Sequence, residues 1–97
     1  MGVVSVATES ISEWHAFSGT VGEIESPIYP DGSLAIRKMI VVKASKNNSG
    51  TITVKNPGAA SGFLLDPGEQ VTIRVNTTSK IAIVASAAGQ NFSVVIN

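Results

Sequence analysis

The chain has 97 residues, seven Lys and Arg against seven Asp and Glu, one His and no Cys. A single domain of this size buries only about 60–65% of its unfolded surface, so a lone copy is modestly stable and depends on its apolar core. Absent cysteine removes disulfides, thiolate chemistry and cysteine-held zinc, and a net charge of zero is unlike a basic nucleic-acid-binding domain.

That zero hides a division. Residues 1–36 hold Glu9, Glu13, Glu23, Glu25 and Asp31 with no cation, while residues 37–97 hold all seven cations against Asp66 and Glu69, so the halves carry −5 and +5. Either the acidic segment pairs with the basic portion of its own subunit, or it reaches a neighbouring subunit, where complementary charge sets register more than affinity.

In chain order, Met1-Gly2-Val3-Val4-Ser5 has no basic n-region and no long apolar stretch, which predicts a soluble chain outside the general export route. Position 6 is Val where a myristoylation signal needs Ser or Thr. Val3, Val4 and Val6 suit a short strand, and Ser10-Ile11-Ser12-Glu13 matches a capping box that opens a helical turn carrying Ile11, Trp14 and Phe17 or Ser18. We therefore read residues 1–18 as an N-terminal arm, helical or extended, and residues 19–97 as one domain. Trp14, the only Trp, suits either a core cluster or an anchor in an assembly contact.

Pro27, Pro30 and Asp31-Gly32 predict a loop and a reversal. Leu34 to Ser45 is the longest strand candidate, with Leu34, Ile36, Ile40, Val42 and Ala44 on one face, interrupted by Lys38. Its other face mixes Arg37 and Lys43 with Met39 and Val41, an apolar centre for the arm or another chain to cover. A polar turn, Lys46 to Gly50, leads to a strand with Ile52 and Val54 inward. After the loop Pro57 to Gly62 comes the short apolar run Phe63-Leu64-Leu65, and Asp66-Pro67-Gly68-Glu69 reads as a type II turn.

Glu69 to Asn97 contains three Val- and Ile-rich runs, separated by Asn76 to Ser79 and by Ala88-Gly89-Gln90, and reads as an antiparallel meander. Val71, Ile73 and Val75 share one face of the first run. The second, Ile81 to Ala87, is apolar on both faces, as a central strand is, and the third turns Phe92, Val94 and Ile96 inward. Six to eight strands at this spacing predict an all-β protein, a small antiparallel β-sandwich of jelly-roll-like or Ig-like type. Its expected core includes Ile52, Val54, Val71, Ile73, Ile81, Ile83, Phe92 and Val94.

Catalytic patterns are few. His15 is the only imidazole and has no nucleophile elbow near it, so no catalytic residue is expected. Asp31-Gly32-Ser33 and Asp66 to Glu69 lack the alternating oxygen ligands of a calcium loop and read as turns, so no metal or other cofactor is expected. Glu23 and Glu25 could form a glycosidase pair or a solvated strand face. Gly19-Thr20-Val21-Gly22 lacks the Lys and the spacing of a phosphate loop.

The turn Asp66-Pro67-Gly68-Glu69 into Gln70-Val71, then Ser79-Lys80-Ile81-Ala82-Ile83-Val84 leading through Ala85 to Gln90 into a final strand, resembles small β-sandwich virion proteins of tailed bacteriophages. The resemblance covers roughly Gly50 to Asn97. It implies a capsid cement or decoration subunit or a head-fibre module, often a homotrimer. The partner would be the major capsid protein or another virion protein, on the capsid surface after assembly in the host cytoplasm, with no nucleic acid and no membrane. A carbohydrate- or receptor-binding module of a phage tail or fibre is the alternative. Partner contacts are expected from Ile11, Trp14 and Phe17 on the arm and from Arg37, Met39, Val41 and Lys43 on the long strand.

Overall fold

The structure is a computed structural model and describes residues 15–97. Among the described residues eight strands form two four-stranded antiparallel sheets. They are β1 (His15–Val21), β2 (Ser26–Pro27), β3 (Ile40–Ala44), β4 (Ile52–Lys55), β5 (Phe63–Leu65), β6 (Gln70–Ile73), β7 (Ala82–Ala85) and β8 (Gln90–Ile96), with a 3-10 turn at Thr78–Lys80 before β7. One sheet has the order β1-β8-β3-β6 and the other β2-β7-β4-β5. The pairs β4 with β5, β3 with β6, β2 with β7 and β1 with β8 nest around the loop between β4 and β5, like a long hairpin folded over itself. Eight strands in two such sheets make a jelly roll, so the all-β sandwich takes the first of the two expected forms.

Alternation builds the core. Ile40, Val42 and Ala44 of β3, Ile52 and Val54 of β4, Ile81 and Ile83 at β7, and Phe92, Val94 and Ile96 of β8 are buried between the sheets. Of the expected core, only Val71 and Ile73 are half-buried, because β6 is an edge strand and packs on the cluster from one side.

Two expectations are corrected. The last third is not a meander: its three runs are strands, but β6 pairs with β3, β7 with β2 and β4, and β8 with β1 and β3. The chain changes sheet at each connection, and a strand apolar on both faces, β7, takes a central place. The long strand from Leu34 is also shorter than expected. Only Ile40–Ala44 is regular; before it Ala35 bridges Thr77, and at the break the N–H groups of Lys38 and Met39 both donate to the Asn97 carbonyl, at 2.7 and 3.2 Å. Facing survives the break, since Ile36 is buried as its parity requires.

β1 begins at His15, so residues 15–18, assigned above to the arm, are its first half, and the helical turn does not extend through Phe17. The remainder of the arm lies outside the described residues.

Turn chemistry follows the residues. Gly68 has φ 88° and the Glu69 N–H donates to the Asp66 carbonyl at 2.9 Å, which closes the type II turn. At Gly62 an added Cβ would collide with the Val54 carbonyl oxygen, so only glycine lets β5 come alongside β4.

Candidate protein-interaction site

Ile11 and Trp14 lie outside the described residues. Phe17 stands on the inward side of β1, half-buried, with its ring edge-on to Tyr29 at 5.2 Å. Met39 and Val41 are half-buried on the outer side of the first sheet, whereas Arg37 and Lys43 are exposed. Register places Val41 between Val95 and Thr72, with Ala16 beyond Val95, and Lys43 between Ser93 and Gln70. Of the sequence-expected contacts in view, Val41 and Lys43 therefore share one outer face, while Phe17 faces the opposite way.

The second sheet is closed differently. Lys55 Nζ meets Glu25 Oε1 at 2.5 Å and donates to the Ala59 carbonyl at 2.6 Å, and Glu25 Oε2 accepts from the Gly58 N–H at 2.9 Å. Register sets Ala82 between Lys55 and Pro27, and Ala82 is buried although alternation turns it outward. The hydrogen bond from Lys55, then that from Gly58, holds the Glu25 carboxyl below its ordinary value, against a smaller opposing effect of burial. A carboxylate so held is the reverse of a general acid, so within a glycosidase pair Glu25 would suit only the ionised role. The bridge also joins the acidic and basic parts of the sequence within one subunit. His15 stands exposed on β1, with Ile96 as its cross-strand partner.

The sites that sequence reading missed are apolar and at edges. Ile24, Phe63 and Leu64 are 81%, 56% and 60% exposed. Phe63 and Leu64 belong to β5, which pairs with β4 alone and so leaves one backbone edge open among the described strands. Beside Phe63 the sandwich gapes into a cleft of about 130 Å3, with Val54, Ile73, Val75 and Ile81 along it and Lys80 at its rim. A three-residue run carries too little alternation to announce which of its members point outward, so Phe63 and Leu64 read only as a short strand.

No family model matches this chain, and no curated protein matches it. A solved structure described as "Bacillus endospore appendages form a novel family of disulfide-linked pili" is similar over 88% of this chain and 85% of that one, at 13% identity and a TM-score of 0.47.

Proposed function

We propose that this chain is a structural subunit that works by protein–protein contact, most specifically a capsid cement or decoration protein of a tailed bacteriophage, and that it is not an enzyme. The observation that carries the contact reading is the β5 edge, where two large apolar side chains stand more than half exposed beside unpaired backbone. Folded proteins usually shield such edges with charges, proline or a covering element, because an open edge recruits another chain. Its purpose is then recruitment. Self-association into a trimer would multiply each weak contact by valency, lengthening attachment to a repetitive shell. The virion assignment rests on the resemblance of residues 50–97 to small phage β-sandwich proteins.

A sugar-binding module needs exposed rings for stacking. Here Phe92 is buried and Phe17 and Tyr29 pack on each other, leaving Phe63 as the exposed ring among the described residues. Sedimentation of the full chain over a range of concentrations tests the contact reading: an oligomer is expected, and a monomer throughout would overturn it. Virion proteins encoded by neighbouring genes, and co-sedimentation with the assembled particle, are expected for the phage assignment; neighbours of unrelated function would remove it.

A further inference from the structure

Resting on the assembly reading above, we propose that the cleft between β5 and β6 of one copy receives Trp14 of another copy, with Glu13 of the incoming segment facing Lys80. The cleft has the right chemistry for an aromatic ring. Ile73, Val75 and Ile81 supply apolar walls, Phe63 forms a half-exposed flank, and about 130 Å3 approaches the size of an apolar cavity that holds benzene. Phe63 lines the opening and offers an aromatic partner to a ring seated there.

Charge supplies the second half of the match. Lys80 is exposed at the rim and makes no ion pair among the described residues, whereas Lys55, the other cation there, is held by Glu25. The segment preceding β1 reads Glu9-Ser10-Ile11-Ser12-Glu13-Trp14, the only Trp of the chain with a carboxylate directly before it. An acidic, aromatic segment thus meets an apolar cleft with a cationic lip.

Register shows why the Trp must come from another copy. His15 pairs with Ile96, Ile96 with Ile40, and Ile40 with Ile73, so His15 and Ile73 stand at opposite ends of one row across the whole first sheet. Three strand spacings separate them, about 14 Å. Trp14 is one residue from His15, a step of about 3.8 Å. Counted from the Trp14 backbone the remaining gap is on the order of 10 Å, more than the side chain itself spans, and the buried Ile96 and Ile40 fill the space in between. A chain's own Trp14 therefore cannot enter its own cleft, while the cleft of a second copy is open to it. Donor and acceptor surfaces differ, so the contact is heterologous and closes into a ring such as a trimer if the rotation permits, or otherwise continues as a filament.

The test uses the full chain, with sedimentation for assembly and the single Trp as a fluorescence reporter. Trp14 emission should move to shorter wavelength as oligomer forms. Phe63→Ala should raise the concentration needed for assembly about tenfold, as loss of an interface anchor does. Lys80→Glu should raise it about three- to fivefold, and Lys80→Glu combined with Glu13→Lys should restore it. Both acceptor positions are exposed, so thermal melts of the variants should match the parent. A monomeric parent chain overturns both this inference and the assembly reading. A parent that assembles with unmoved Trp emission, or that is indifferent to Phe63→Ala and to the charge exchange, overturns this inference and leaves assembly to other surfaces.

Discussion

The side chain of Gln90 accepts the backbone N–H of Gly50 at 2.8 Å, across 40 positions of sequence. Its amide nitrogen donates to the Ala88 carbonyl at 2.8 Å and to Ser49 Oγ at 3.2 Å, so this one buried amide ties the turn before β4 to the turn before β8. Replacing Gln90 with Leu keeps the volume and strands these partners. We expect a loss of about 2 kcal/mol, read as a fall in the urea midpoint with unchanged slope, because a buried polar group left without a partner costs about 1–3 kcal/mol. A loss below about 0.5 kcal/mol would show that water takes over the bonds.

The Lys55–Glu25 bridge should make stability depend on acid. The Glu25 carboxyl is lowered in the folded chain, so its contribution is fully present above the unfolded value and disappears as pH falls through the folded one. Glu25→Gln should therefore melt at a lower temperature than the parent at pH 7, and the two curves should draw together as pH falls below the ordinary carboxylate value and through the lowered folded one. Amide exchange of Gly58 should quicken in the variant, since its N–H loses a charged acceptor. A constant difference between the two proteins down to pH 2.5 would exclude the bridge as its source.

Gly62→Ala should cost about 2 kcal/mol or more, because the added methyl meets the backbone carbonyl of Val54 rather than a movable side chain. Exchange protection should drop first at Phe63–Leu65. An unchanged melting temperature would mean that β5 can stand off from β4 without loss.

Ile40 and Ile73 are cross-strand partners with different burial, the first fully enclosed and the second half-buried at the edge. Ile40→Ala should cost about 3–4 kcal/mol and Ile73→Ala roughly half as much, by chemical denaturation. Equal costs would show that β6 is as enclosed as β3.

Facing was readable from residues and pairing was not. Ile52, Val54, Ile83 and Val94 are buried as alternation requires, and the Asp66 to Glu69 turn forms because Pro67 and Gly68 meet its backbone needs locally. Which strand lies beside which depends on how apolar faces meet across the sandwich, and no short window carries that, so three adjacent runs looked like a meander. β1 was hidden for a local reason. Gly19 occupies an inward position where an apolar residue would have revealed the strand, and the Phe92 ring fills the space instead, so that a Cβ there would lie 2.8 Å from its Cζ. At the candidate site, Trp14 beside Glu13 was visible as a possible anchor, whereas its proposed receptor is assembled from β5, β6 and the start of β7 and exists only after folding.

The nesting of the strand pairs also sets an order of events in time. Bringing β4 and β5 together closes one short loop, whereas joining β1 directly to β8 in an unfolded chain closes a loop roughly ten times longer, at about 2 kcal/mol more in chain entropy. Zipping outward from the β4–β5 loop, through β3 with β6 and β2 with β7, avoids that cost because each pair shortens the loop left for the next. During synthesis β1 leaves the ribosome before the other described strands and its partner β8 after all of them, so the growing chain carries an unpaired strand until β8 emerges.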